Sequence, residues 1–470
     1  MTPTTTRPRV VVIGSGFGGL FVTKALADAD VDVVMVAKTA HHLFQPLLYQ
    51  VATGILSPGE IAPSNREILK HQKNARVLLS EVTDIDLATK KLRAEALGNV
   101  SFIKYDYLVV AAGAGQSYFG NDHFAVFAPG MKTIDDALEL RARIFGSLEM
   151  AELTDDPAER ERLMTFVVVG AGPTGVEMAG QIRELTAHTT RNDYREIDST
   201  KARVLILDGA DKVLAPFGGK LSEKAKRELE EIGVEVKLGA LVTDLDANGL
   251  TVKYKDGTTE RIEAGCKVWA AGVQASPLGK AIADQSEAEV DRSGRVIVEP
   301  DCSVLGYPEV FVLGDMMNFE NLPGVAQVAI QSAEYVAKKI KGELSGHPVT
   351  TPFSYKDKGS MAVISRFGAV MKAGNIEATG FPAWSAWLGL HLLYIVGFKA
   401  QVSTLLHWGY AFAGRSRAER VTTHQQMVGR LAMQQLGEDF KPTITGSLDP
   451  TKIDSKVSPE LVRDERPQEL

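Results

Sequence analysis

The chain has 470 residues, 44% of them apolar and 24% charged, an ordinary globular composition with length for two to three domains. Its net charge of −7 excludes nucleic-acid binding through bulk positive charge. Cys266 and Cys302 lie too far apart in sequence for a CxxC or CxxxxC pair. A dithiol relay is therefore excluded, no metal site is expected, and each cysteine reads as a buried structural thiol.

Residues 1–9 carry no apolar run, so no secretory signal is expected and the body is expected in the cytoplasm. An apolar strand over Arg9–Ile13 then enters Gly14-Ser15-Gly16-Phe17-Gly18-Gly19, followed by a helix over 18–27 and a strand over 31–36. This is a dinucleotide fingerprint. Its first glycine permits the tight turn, the second lets backbone approach a pyrophosphate, and the third lets helix and strand pack closely. The pyrophosphate sits on the helix N-terminus, where free N–H groups and the dipole favour negative charge. An acidic residue usually follows about 20 positions on. Here the corresponding place is Ala37-Lys38, where Lys38 either donates to a ribose or phosphate oxygen or is solvated.

Residues 101–115 read as one apolar strand running into a small-residue turn that includes Ala112 and Gly113. Helical spacing runs from Ile134 to Leu153. A second fingerprint follows, Phe166-Val-Val-Val-Gly170-Ala-Gly172-Pro173-Thr174-Gly175, with a long helix expected over 174–194. The next strand, 202–207, ends at Asp208. That carboxylate suits a ribose 2′-OH and repels a 2′-phosphate, so NADH is expected over NADPH. The alternative is an exposed loop carboxylate. The turn Val268–Gly272 mirrors the one at Gly113, and the strand from Val310 ends in Gly314-Asp315, where a carboxylate and the next N–H suit the polyol and phosphate of a flavin.

Two such fingerprints in one chain imply two dinucleotides, a tightly held flavin and a nicotinamide that feeds it. Glu177 is expected in the first turn of the second fingerprint helix, where the dipole favours a carboxylate in any case. Its functional reading points it at the two rings. Gln327 and Gln331 share a helix face among apolar neighbours. His41-His42 lacks a spaced third ligand, which favours packing or flavin contact over metal. The architecture expected is α/β with two Rossmann-like dinucleotide-binding domains. The first spans 1–125 and 290–345, the second 126–289, and a C-terminal region follows over 346–420.

In that region Phe381–Phe398 is an 18-residue run without formal charge. About 20 apolar residues are needed to cross ~30 Å of hydrocarbon, and Pro382, Ser385, Gly389, His391 and Gly397 weaken the run further. The next segment places Val402, Leu405, Trp408 and Phe412 on one helical face, with Ser403, His407 and Gly414 on the other. Amphipathic helices over 381–415 are therefore expected to lie on a membrane without crossing it. Trp384, Trp387, Tyr394, Trp408 and Tyr410 would sit at the interface, and Arg415, Arg417 and Arg420 on anionic headgroups. A dimer interface would bury the same aromatics, and both can hold. The tail 441–470, rich in Pro, Ser, Asp and Glu, is expected to be flexible.

Taken together, these residues resemble the bacterial type II NADH dehydrogenases, single-chain membrane-surface enzymes that pass electrons from NADH to quinone without pumping protons. The resemblance spans about residues 9–420. It is carried by His41–Gly54, Gly170–Glu177, Gly314-Asp315 and the Ala-Gln-x-Ala-x-Gln stretch at 326–331, which is similar to the family's quinone-site signature. It implies non-covalent FAD held by Gly14, Ser15, Gly16, Phe17, Gly18, Gly19, Lys38, His42, Ala112, Gly113, Asp315 and Gln327. It implies NADH at Gly170, Gly172, Pro173, Thr174, Gly175, Glu177, Asp208 and Gly272. Glu177, Gln327 and Gln331 take the catalytic positions, with a membrane quinone beside the flavin. A homodimer at the cytoplasmic face of the cell membrane is also implied. Sulfide:quinone oxidoreductase shares the fold but needs reactive cysteines near the flavin, and Asp208 would there lack a purpose. A flavin- or NADH-sensing binding protein would need neither the quinone-like motif nor the amphipathic terminus.

Overall fold

The computed structural model describes residues 7–96, 99–426 and 429, so the tail 441–470 lies outside the described residues. The strands Arg9–Ile13, Asp32–Ala37 and Ala75–Leu79 are apolar at most inward positions and pair in parallel. They form one half of a six-stranded sheet. Tyr107–Val110 pairs on the other side of Arg9–Ile13, and Tyr307–Val312, far away in sequence, pairs with Tyr107–Val110. Such near-continuous β-branched runs are what a parallel sheet covered on both faces requires. The helices Phe17–Ala25 and Ala326–Leu344 pack together over it.

A four-stranded parallel sheet forms the second unit, in the order Val234–Leu238, Arg203–Asp208, Thr165–Val169, Cys266–Trp269. The two units are tied just beyond their small-residue turns, where Ala114–Gln116 pairs antiparallel with Val273–Ala275. Gln116 Nε2 also donates to the carbonyls of Ala271 and Gly272. Both cysteines are buried, and burial pushes the Cys266 thiol up to about 11 and the Cys302 thiol up to about 12, so neither is a nucleophile.

Two expected elements differ. Residues 101–115 divide into Asn99–Lys104, the edge of an antiparallel sheet, and Tyr107–Val110 in the parallel sheet. The first piece is exposed at every position but Ile103, whereas Leu108–Val110 of the second are buried. The helix expected to reach residue 194 ends at Glu184, followed by a π-helical turn, Leu185–Thr189. The hydroxyls of Thr186 and Thr190 bond the local carbonyls of Arg183 and Leu185, and the branched threonine side chains are stiff, both poor for helix continuation. The spacing to Asp208 is thus filled by this turn and the following loop rather than by helix.

The C-terminal region adds an antiparallel sheet, Ser360–Ser365, Gly368–Ala373 and Ile376–Thr379, then two helices, Gly380–Tyr394 and Phe398–Gly414. The 18-residue uncharged run is therefore broken at residues 395–397, with Gly397 at φ 102° making the corner. At 1.5 Å rise per residue the longer helix is about 25 Å, and no helix among the described residues is long and apolar enough to cross a membrane.

The facing of these helices corrects the sequence reading. Trp384, Trp387 and Trp408 are not interfacial but buried in the core shared with the second unit. Trp408 Nε1 donates to Gln50 Oε1 at 2.7 Å. Ser403 and His407, on the polar face, turn inward and meet the buried carboxylate of Glu60 at 2.6 Å each. The outward face carries Leu393 (77% exposed), Phe398 (81%), Leu405, Leu406 (68%) and Tyr410. Arg417 is buried and Arg420 pairs with Asp193, leaving Arg415 as the exposed one of the three arginines.

Candidate active site

Both fingerprint turns are built by the same steric device. A Cβ on Gly19 would lie 2.0 Å from the Gly14 carbonyl oxygen, and one on Gly175 would lie 1.8 Å from that of Gly170. Gly14 and Gly170 themselves have φ of 100° and 106°. By contrast a Cβ on Gly16 or Gly172, at the two helix N-caps, would meet nothing within 4 Å. Each helix N-terminus thus presents free N–H groups to open space, the cradle a pyrophosphate needs.

The first cradle opens into a cleft of about 2000 Å³. This exceeds the roughly 300–1,000 Å³ of a drug-sized site and suits more than one extended ligand. Its walls include Gly14, Ser15, Gly16, Phe17, Gly18, Lys38, Ala112, Gly113 and Asp315 from the first unit, and Pro173, Thr174 and Glu177 from the second. Gly19 is buried behind the turn. Ser15 Oγ donates to the His41 carbonyl, and His42 Nδ1–H donates to the Ser15 carbonyl at 2.9 Å. His42 Nε2 is buried and has no partner among the described residues. That orphan and the open Gly16 cradle fit a bound dinucleotide on the first unit. Glu81, which the sequence reading missed, shares a wall with Lys38 and brings a carboxylate to the end of a strand that lacks its own. The link between them is Ser80 N–H donating to the Ala37 carbonyl.

In the second unit Asp208 closes its strand directly against the fingerprint. Its Oδ2 accepts from Ala171 N at 2.6 Å and its Oδ1 from Ala210 N at 2.7 Å. This places a fixed carboxylate at the end of the strand, against the fingerprint turn. Gly272, at φ 75°, stands beside Phe119, and its carbonyl accepts from Gln116.

Glu177 is not in the first helical turn. The helix begins at Pro173, so the side chain belongs to the second turn and its burial, not the dipole, governs it. Burial lifts its carboxyl to about 8, opposed only by a long contact from Val363 N–H to Oε1 at 3.4 Å. Burial likewise holds His42 and His391 down at about 4, raises Asp315, and lowers Lys132, which Asp315 partly restores.

The two glutamines touch, Gln331 Nε2 donating to Gln327 Oε1 at 3.5 Å, but their other surroundings differ. Gln327 lines the cleft. Gln331 also clamps residue 356, donating from Nε2 to the Lys356 carbonyl and accepting Lys356 N–H at Oε1, both at 3.0 Å. It thereby positions Tyr355, Asp357 and Lys358, which line the cleft. Sequence reasoning also missed Lys132, Lys358 and the cleft-lining role of His391. The signal for Lys132 was its place next to the helix-capping Thr133–Asp136 pair, which fixes its backbone. His391 stacks on Trp387 at 4.1 Å and donates from Nδ1 to the Trp387 carbonyl, so the helix Gly380–Tyr394 brings Leu390, His391 and Tyr394 to the far end of the cleft.

Comparison with known proteins agrees with this geometry. Residues 8–333 match the family model described as pyridine nucleotide-disulphide oxidoreductase. The chain is 59% identical over 434 residues to the type II NADH:quinone oxidoreductase Ndh of Mycobacterium tuberculosis, covering 92% of this chain and 94% of that one. It is 57% identical over 431 residues to NdhA of the same organism, covering 91% and 92%. Among solved structures, NDH2 of Plasmodium falciparum in complex with NADH superposes with a TM-score of 0.79 at 19% identity, covering 86% of this chain and 98% of that one.

The buried Glu177 carboxyl gives a pH signature. Below 4.5 the group is protonated folded or unfolded. Between 4.5 and about 8 only the folded state keeps the proton, so its contribution to stability is lost as pH rises through that window. The thermal midpoint of wild type should therefore fall progressively below that of Glu177→Gln from pH 4.5 to 8. Parallel midpoints across the window would contradict this assignment.

Proposed function

Given that the chain belongs to the type II NADH:quinone oxidoreductases, FAD-dependent enzymes that oxidise NADH and reduce quinone, we propose how its residues divide that work. The observation that carries the division is a single cleft. It runs from the first fingerprint turn, past the start of the second fingerprint helix, to the helix Gly380–Tyr394.

FAD lies on the first unit, 1–125 with 290–345, its pyrophosphate on the Gly16 cradle. Lys38 and Glu81 flank its adenosine end, and His42, Ala112, Gly113, Asp315 and Gln327 surround the rest. Bound there, it supplies a hydride acceptor at N5 and the two-electron reduction of quinone. NADH lies on the second unit, 126–289. Gly170, Gly172, Pro173, Thr174 and Gly175 receive its pyrophosphate, Asp208 its ribose, and Gly272 borders the nicotinamide.

Glu177 stands between the two, neutral at physiological pH because water is excluded from it. With Oε1 turned to Val363 N–H, Oε2 is the oxygen that carries the proton. Quinone enters past Leu390, His391 and Tyr394 to meet Gln327, which orients its carbonyl. Gln331 acts at one remove, holding the 355–358 wall in place. The protein needs no nucleophile of its own, since orientation and exclusion of water supply its part.

The apolar outward face of the helices Gly380–Tyr394 and Phe398–Gly414 rests on the cytoplasmic surface of the cell membrane. What supports this reading is a contiguous row of exposed Leu393, Phe398, Leu405, Leu406 and Tyr410 next to the quinone end of the cleft. A homodimer through part of the same face is compatible with it.

Three experiments test these assignments. Asp208→Ala should raise KM for NADH about tenfold and narrow the preference over NADPH, because a hydrogen bond to a charged group is lost; an unchanged NADH:NADPH ratio removes Asp208 from the ribose. In stopped-flow work, Gln327→Leu should slow reoxidation by quinone more than reduction by NADH. Slowing confined to the NADH half would place the residue elsewhere. Finally, Leu405→Asp with Leu406→Asp should release the protein from liposomes while leaving turnover with a soluble short-chain quinone near wild type. If the double variant still floats with liposomes, this face is not the membrane contact.

A further inference from the structure

A second cavity of about 240 Å³ lies away from the dinucleotide cleft, between the end of the helix Pro173–Glu184, the C-terminal sheet and the end of the helix Phe398–Gly414. Its size is below the roughly 300–1,000 Å³ of a complete small-molecule site, so it suits a headgroup. Three guanidiniums, those of Arg366, Arg415 and Arg417, converge on it against one carboxylate, Glu184. Both oxygens of Glu184 are already engaged, by Arg366 N–H and by Gln181 Nε2.

Among the described residues none of the three guanidiniums forms an ion pair. Arg417 is 8% exposed and donates only to neutral oxygens, those of Thr53 and Gln181. Arg366 lies over the Phe367 ring at 4.5 Å with a buried Nε that bonds nothing. Arg415 donates to His188 Nδ1 at 3.0 Å, a neutral imidazole nitrogen. The buried Arg417 has Glu184 as its one nearby countercharge, already engaged by other donors, and gathering three like charges around a single carboxylate is costly. Arg–phosphate pairing is the strong, geometrically specific relief of that cost.

The rim of the cavity is apolar. Phe412 and Phe367 line it, and Phe367 packs edge-on against Phe381 at 5.8 Å. Phe381 is 60% exposed and begins the outward face already described. Charge inside and hydrocarbon outside is the complementarity of an anionic amphiphile.

We propose that this cavity binds the phosphate of an anionic phospholipid, whose acyl chains lie on the outward face from Phe367 and Phe381. The site rests on the membrane-facing reading above but not on any cofactor assignment. Binding there would tie the end of the helix Phe398–Gly414 to the second unit, since Arg417 joins Thr53 and Gln181 across the same wall.

The test uses the full FAD-loaded chain and lipid in monomeric form, so that membrane attachment is not needed. Dihexanoyl-phosphatidylglycerol, dihexanoyl-phosphatidylcholine and inorganic phosphate are titrated while the thermal unfolding midpoint is followed. The glycerol lipid should raise the midpoint of wild type. Its half-saturating concentration should rise about tenfold or more in Arg366→Gln/Arg415→Gln, the loss of charge-assisted bonds, and stay unchanged in Lys399→Gln. Arg415→Gln alone, at an exposed position, serves if the double variant does not fold. An equal shift with phosphatidylcholine would overturn the anionic preference. An equal shift with inorganic phosphate would overturn the lipid and leave a free-anion site. Equal weakening in Lys399→Gln would reduce the effect to surface charge and overturn the cavity.

Discussion

The structure depends first on two places where no side chain can stand. At Gly19 and Gly175 the helix backbone is pressed against a carbonyl of its own turn, at 2.0 and 1.8 Å from where a Cβ would be. This close approach points each helix N-terminus across the C-terminal edge of its sheet, where ligands of open α/β folds bind. The remaining architecture brings the two edges together. The antiparallel pair Ala114–Gln116 with Val273–Ala275 joins the units immediately past their small-residue turns. The Gln116 side chain bridges the same junction, so neither turn moves without the other.

The C-terminal sheet then determines the chemistry at the junction. Gly180 has no Cβ because one would lie 1.8 Å from the Ile364 carbonyl. The sheet strand Ser360–Ser365 therefore lies directly on the helix Pro173–Glu184, and Val363 N–H reaches Glu177. It is this lid of sheet that removes water from Glu177 and lifts its carboxyl. Further along, Trp408 bonds Gln50, which bonds Tyr49, and Arg417 bonds Thr53. These contacts fasten the last helix and its following turn to the segment Leu48–Ala52 beside the first unit. A region that composition alone suggests is a membrane appendage is thus part of the core.

Much of the α/β fold was legible because buried parallel strands and glycine turns leave local signals. The strand Arg9–Ile13 and the helix Ile134–Leu153 have the bounds their patterns give. What failed was whatever depended on a partner. Phe102 looks like core in sequence but stands 70% exposed on an edge strand, so residues 101–115 read as one strand when they are two. The face taken by the C-terminal tryptophans was illegible because both faces of their helices carry apolar residues, and only Gln50 and Glu60, hundreds of positions away, decide which turns inward. The glutamines at 327 and 331 share a helical face, as their spacing requires. One reaches the cleft and the other the Lys356 backbone, a distinction that spacing cannot carry.

Charge burial links the two cavities by contrast. In and beside the large cleft burial moves several groups toward their neutral form, the carboxyls of Glu177 and Asp315 upward, His42, His391 and Lys132 downward, while Asp291, hydrogen-bonded and paired with Arg295, is held the other way. For the buried carboxyls, imidazoles and amine, titration is the cheapest escape from desolvation. The small cavity has no such escape. Burial lowers the Arg417 guanidinium only to about 10, so it remains charged at any physiological pH. A carboxyl or imidazole there could shed its charge and stay empty, whereas a guanidinium can be relieved only by a countercharge from elsewhere. Three arginines without an ion pair at the apolar edge of the protein therefore call for an anion that arrives with its own hydrocarbon, and a lipid surface is where that combination is abundant.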